Sequence, residues 1–289
     1  MTRIKLKSLL KEDAEDDVTQ LITKVKNYDE FVAKLGDLVK DDKVRNFLNS
    51  GKIDGDKSDD SFTVTSKTLA VKDLRPTQNE IDIEKSLKYP LTNAQSLESC
   101  LKGVAVTLKA PIVTYKGEFI IDGHHRWSQL YAVNSKATIT SYDLTGVELD
   151  PIEVLKVMQL GIGAELGKLP TGEVGGPNLL TAGPDIIKKF ISKTIIPDCI
   201  SVFKRFRSKV ANINTADGIA DGIILPNVEM MKRNSKPVPG APKRPVMPQT
   251  DDAPKVLNNL KAGLINYNKP YNASTESIYK EINKILQKL

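Results

Sequence analysis

Residues Phe119-Ile120-Ile121-Asp122-Gly123-His124-His125-Arg126-Trp127 decide how this chain is read. Phe119 to Ile121 is a short apolar run of strand type, and Trp127, Leu130 and Tyr131 carry a helix on towards Asn134. Asp-Gly between them is turn chemistry. The passage is therefore a strand, a tight turn and the first residues of a helix. Upstream, Ile112 to Tyr115 and the turn Lys116-Gly117-Glu118 complete a β-hairpin with it. Downstream, Ala137 to Tyr142 reads as a further strand.

The chain has two histidines and one tryptophan, and all three fall between His124 and Trp127. The first amides of a helix lack internal partners and carry partial positive charge, so a phosphate placed there receives their N–H bonds. Gly123 permits close backbone approach, and Arg126 offers a forked donor pair for phosphate oxygens. His124 or His125 can donate to phosphate or exchange a proton near neutral pH. Asp122 can hold a metal ion or orient a histidine. The plainer alternative makes Asp122 and Gly123 a simple turn, His125 a half-buried helix residue and Trp127 a core residue. Trp127 is assigned to the core, whereas packing alone does not account for His124, His125 and Arg126 crowded at a helix start.

Working outward, residues 61–76 alternate as strands, with Phe62 and Val64 on one side and Thr68 to Val71 as a second candidate. Leu74 to Ile81 leaves the strand through Pro76, and a polar helix or turn follows to Leu87. Thr92 to Gly103 reads as a helix ended by its glycine. Residues 3–50 are helical, with Val18, Leu21, Ile22 and Val25 as one stripe and Phe31, Val32, Leu35, Leu38 and Val39 as another. Val44, Phe47 and Leu48 mark a short third helix. Asp54, Asp56, Asp59 and Asp60 lie in a turn-rich stretch without the glycine and glutamate of an EF-hand, so it reads as a solvated linker.

Beyond Pro151, Ile152, Val154, Leu155 and Met158 open another helix, and Leu169 to Pro184 is a loop rich in glycine and proline. Ile186 to Val210 forms two basic helices broken at Pro197, and Asp217 to Pro226 is ambiguous. Residues 236–255 are a proline-rich linker or extended arm. Ile278, Ile282, Ile285, Leu286 and Leu289 give a last amphipathic helix capped by Ser274 or Thr275.

The chain of 289 residues is 40% hydrophobic, enough for a core in one or two domains. A net charge of +6 suits polyanion partners as well as an ordinary lysine-rich surface. Cys100 and Cys199 cannot make a disulfide framework, and no CxxC pair is present. With no signal-type apolar stretch near Met1 and no run of 18 apolar residues, a cytoplasmic setting without membrane contact is expected.

Strand, Asp122-Gly123-His124-His125-Arg126-Trp127, then helix resembles the signature of the ParB/sulfiredoxin superfamily, found in ParB-like nuclease domains, partition ParB proteins and free serine kinases. Asp73 to Glu80 is similar to the segment that precedes it in ParB-like domains, and Pro111-Ile112-Val113 to the strand before the hairpin. The resemblance spans about 75 residues, a quarter of the chain. His124 stands where sulfiredoxin has its cysteine, which argues against sulfiredoxin chemistry. The partition proteins have Gly-Glu-Arg-Arg and a downstream helix-turn-helix domain, which the glycine-rich stretch Gly161 to Gly183 suits poorly. The free serine kinases share the Asp-Gly-His-His-Arg loop and use an upstream glutamate as base, a position matched by Glu80, which by itself reads as a surface charge. Arg3 to Leu6 and Gly240 to Gln249 are similar in style to ParB-like proteins of tailed bacteriophages.

The resemblance implies an α+β fold: a small mixed-sheet ParB/sulfiredoxin-like domain over 60–150. Helical extensions are expected at 1–52 and 151–234, with a proline-rich arm and C-terminal amphipathic helix at 235–289. It implies a ParB-like nuclease, or a protein that binds nucleic-acid or nucleotide phosphate. Gly123, His124, His125 and Arg126 would grip phosphate, and Glu80, Asp122 and His125 would be catalytic, with Asp122 and Glu80 holding Mg2+ or another divalent cation. Basic helices from Lys188 to Lys209 would hold a DNA backbone. One alternative is a kinase or switch using ATP/ADP or CTP. The other is a non-enzymatic virion or interaction protein, self-associating through Ile278 to Leu289, in host cytoplasm or virion.

Overall fold

The computed structural model describes residues 21–51, 56–102, 105–172, 175–248 and 252–267. Leu21, Ile22 and Val25 are buried, as their stripe requires, whereas Val18, Asp54, Gly103 and the amphipathic stretch Ile278 to Leu289 lie outside the described residues. Helix α1 (Tyr28–Leu38) starts at Asn27, whose side chain accepts the amides of Asp29 and Glu30, and it buries Tyr28, Phe31 and Leu35. Helix α2 (Asp42–Leu48) is capped by Asp41 and buries Leu48.

The sheet has five strands: β1 (Thr63–Ala70), β2 (Arg75–Pro76), β3 (Ile112–Tyr115), β4 (Phe119–Asp122) and β5 (Thr138–Thr145). Their order is β1-β5-β3-β4-β2. β1 is antiparallel to β5, β5 parallel to β3, β3 antiparallel to β4, and β4 parallel to the short edge strand β2. The sheet is therefore mixed, and the fold is α+β with helices before and after it. The two strand candidates between residues 61 and 76 are one strand, and Val71 begins a single 3-10 turn that swings the chain into β2.

Alternation along the strands feeds two cores. Ile112, Ile120 and Ile139 point to one face, and Val113, Ile121 and Leu144 to the other. The first face packs against α3 (Ile83–Thr92), α4 (Ala94–Leu101) and α5 (His124–Val133). Trp127 and Tyr131 of α5 are fully buried there in edge-to-face contact, and the Trp127 indole donates to the Val71 carbonyl at 2.8 Å. Each such side chain contributes roughly 1.5–3 kcal/mol by leaving water. The second face packs against α1, α2 and α6 (Pro151–Leu166), whose start is a capping box between Asp150 and Glu153. Asn93 separates α3 from α4 because its side chain caps the second helix.

The two basic helices are α7 (Pro184–Thr194) and α8 (Pro197–Phe206), each begun by proline. The ambiguous stretch Asp217 to Pro226 is helical: α9 (Ala216–Ile219) passes through a π turn, Ala220–Ile224, into α10 (Leu225–Asn234). Two expected linkers are packed segments. Asp60 is buried and accepts the Tyr267 amide at 3.2 Å, so this end of the acidic stretch is tied to the chain beyond α11 (Ala253–Lys261) instead of being solvated. Val238 and Met247 of the proline-rich arm are buried as well. Among the described residues no helix is long and apolar enough to cross a membrane.

Candidate functional site

Gly123 takes φ +93, in the left-handed region that glycine alone enters at little cost. A Cβ at this position would lie 2.5 Å from Ile112 Cγ2 and 3.1 Å from Arg126 Nε. The turn thus lets β4 end and α5 begin within one residue. No side chain caps the start of α5, so its opening amides and their partial positive charge face the site.

Asp122 and Arg126 frame the turn with a salt bridge of 2.8 Å, both side chains nearly excluded from solvent. Arg126 also donates to the Ala110 carbonyl at 3.2 Å. Arg126 is thus already engaged, and Asp122 orients it.

Both imidazoles act as acceptors at Nε2. His124 Nε2 receives the Thr77 amide at 3.2 Å, and His125 Nε2 receives the Asp82 amide at 3.3 Å. Neutral rings bonded in this way carry their proton on Nδ1. Burial pushes His124 down to about 3, helped by the charges of His125 and Arg126 and opposed by a hydrogen bond with the Ile120 backbone. Burial likewise pushes His125 down to about 4, with Arg244 and Lys85 acting in the same direction and Asp82 against it. At neutral pH both rings are uncharged, and their Nε2 lone pairs are occupied. This suits Nδ1–H donation better than proton abstraction.

Asp82, absent from the sequence-based site, is a hub. It caps α3 through the Lys85 amide at 2.8 Å, accepts the Gly176 amide, and meets Arg244 Nη1 at 3.4 Å. Burial alone would raise its pKa, but the Lys85 and Gly176 amides and the Arg244 charge outweigh it and hold the carboxyl low. A side chain at Gly175 would strike Arg244 Nη1 at 2.7 Å, so the glycine loop is needed for this approach. The proline-rich arm delivers Arg244. It is pinned where the Asn79 amide donates to Pro242 O at 3.0 Å and Asn79 Nδ2 to Ala241 O at 2.9 Å.

These groups surround a cavity of about 60 Å³ lined by Gly123, His124, His125, Lys85, Arg126 and Arg244, with Asp122 as its carboxylate. Two wider cavities adjoin it. One of about 570 Å³ shares Lys85 and Arg244, and one of about 230 Å³ shares Lys85, His125 and Arg126. Lys85 forms no ion pair among the described residues, so its charge is available to an anion.

Glu80 does not line the cavity. Its carboxylate accepts the Arg244 backbone amide at 3.3 Å, which makes it an anchor for the arm. Glu80 and Asp122 thus do not share a cavity, and each is engaged elsewhere. Among the described residues no three His, Cys, Asp or Glu side chains form a metal-ligand group. Cys100 and Cys199 are buried, and burial pushes their thiols up to about 12 and about 11, which leaves them poor nucleophiles. On the basic helices, Lys188 pairs with Asp221 and Arg205 with Glu98.

Asp82 had one local signal, an Asp directly before an apolar helix start, which marks a cap. Lys85 and Arg244 had none, because their role depends on a cavity closed by segments distant in sequence.

No family model and no curated protein matches the chain. Among solved structures, a Pnob8-like ParB-N domain is similar over 78% of this chain and 83% of its own, at 15% identity and a TM-score of 0.20. The chemistry of the site therefore rests on its own geometry.

Proposed function

We propose that this protein binds the phosphates of a nucleotide at the start of α5. The observation that carries the reading is the convergence of Lys85 and Arg244, from segments distant in sequence, on the uncapped helix start at Gly123. The small cavity is lined by three cations, Lys85, Arg126 and Arg244, against one carboxylate, Asp122. About 60 Å³ suits a phosphate-sized group and its water better than a nucleoside. An anion there would meet helix amides, the Lys85 ammonium and the Arg244 guanidinium, with the His125 Nδ1–H as a neutral donor. The resemblance of the loop to the ParB/sulfiredoxin signature supports the same ligand chemistry.

The geometry favours binding over metal-assisted cleavage of a phosphodiester, since the carboxylates such a reaction needs are spent on Arg126 and on the arm. The test is a thermal-shift screen with sodium tripolyphosphate, ATP, CTP and a short DNA, using wild type and Lys85→Ala. Arg126→Ala is a poor probe because it also breaks a buried ion pair. A ligand present at 100 times its Kd stabilises by about 2.7 kcal/mol, which raises the melting temperature measurably. Stabilisation by a phosphate ligand that is lost in Lys85→Ala supports the reading, and stabilisation by DNA alone shifts it to a polynucleotide. No shift with any phosphate compound overturns it.

A further inference from the structure

The cavity of about 570 Å³ beside the phosphate site is of small-molecule size, within the roughly 300–1,000 Å³ such sites span. Lys85 and Arg244 line both it and the phosphate cavity, so the two cations stand at the border of the two spaces. Tyr89 stands on its wall, one helical turn after Lys85 on α3. Its side chain is one of two large hydrophobic ones left exposed among the described residues, at 36%. Tyr89 also lines the cavity of about 230 Å³ together with His125 and Arg126. Tyr89 thus borders both cavities that share residues with the phosphate site. Gly175 and Gly176 contribute backbone to the larger cavity, and the space their side chains would fill is taken by Arg244 and Asp82. Along its wall Lys88 is paired with Glu84 at 2.7 Å and Arg244 with Asp82 at 3.4 Å, so Lys85 is the cation here with no ion pair among the described residues.

We propose that the 570 Å³ cavity is a base subsite in which Tyr89 stacks on the base of a nucleoside polyphosphate whose phosphates reach the α5 start. This rests on the phosphate reading above and adds to it the class of ligand and the residue that selects it. The cavity's size argues for a mononucleotide over a polynucleotide, which would need an extended groove.

Isothermal titration of wild type, Tyr89→Ala, Tyr89→Phe and Lys85→Ala tests it, with sodium tripolyphosphate, the four common nucleoside triphosphates and a short single-stranded DNA. Base–aromatic stacking predicts that at least one nucleoside triphosphate binds roughly ten-fold or more tightly than tripolyphosphate. Tyr89→Ala should erase that margin and leave tripolyphosphate binding intact, which also certifies that the variant is folded. Tyr89→Phe should keep the margin, and Lys85→Ala should weaken both ligands. If tripolyphosphate binds as tightly as every nucleotide, or the margin survives in Tyr89→Ala, the base subsite is wrong and the phosphate site stands. If Tyr89-dependent binding occurs only with the DNA, the mononucleotide is wrong. If wild type binds none of them, both readings fall.

Discussion

Asp122 and Arg126 meet at 2.8 Å across the turn that opens α5, with 8% and 7% of their side chains exposed. Two buried opposite charges hold the loop in one geometry, because either alone would be stranded in a medium that solvates it poorly. Arg126→Ala should therefore destabilise the protein by about 3–5 kcal/mol, read by urea unfolding. Removing Asp122 as well should restore part of the loss. A single variant as stable as wild type would mean that the pair is not buried in solution.

Gly123→Ala places a side chain at φ +93 and against Ile112. Strain of this kind costs about 1–3 kcal/mol. Thermal unfolding should show a lower midpoint, and Ile112→Val in the same chain should not recover it, because valine keeps the Cβ and Cγ2 that the new side chain meets. A midpoint equal to wild type would rule out the left-handed turn.

His124 and His125 should make stability depend on acid. Free imidazoles titrate near 6.5, whereas burial brings the folded values to about 3 and about 4. Below pH about 6.5 the unfolded chain holds protons that the native chain does not, so acid favours unfolding. Stability from this source is complete above about 6.5 and is lost progressively as pH falls from about 6.5 to about 4 for His125 and to about 3 for His124, with no further loss below. Urea unfolding at several pH values should show a slope approaching 1.4 kcal/mol per pH unit for each histidine. His125→Gln should flatten part of that slope, and an unchanged profile would show that His125 is not buried neutral.

Asn79→Ala removes the amide that donates to Ala241 O and should loosen the arm that delivers Arg244. Trypsin cleavage after Lys243, an exposed residue, should become faster while the rest of the chain resists. Equal cleavage rates in the two proteins would show that Asn79 does not hold the arm.

The strand–turn–helix around Asp122 to Arg126 was legible because each of its signals is local: an apolar run, Asp-Gly, then helical spacing. The burial of Trp127 followed from the same pattern. The role of Arg126 was not legible, since a forked cation beside a helix start reads as a phosphate ligand until its neighbour Asp122 is seen to occupy it. Glu80 and Asp82 differ by two residues, yet Asp82 meets the Arg244 guanidinium while Glu80 takes the Arg244 backbone amide. Their separation depends on where the helix cap falls, which a charge pattern does not fix to a single residue.

By itself the sequence determined the hairpin, the loop and the core role of Trp127, because hydrophobic period and turn chemistry act over a few residues, whereas the mixed α+β sheet was implied by the resemblance that the loop carries. Tertiary structure alone decided what surrounds the loop. Arg244 reaches Asp82 across 162 residues, and the Thr77 and Asp82 amides take the histidine lone pairs. Burial then sets their charge. Desolvation and long-range pairing depend on which segments close over a group, and no local pattern encodes that.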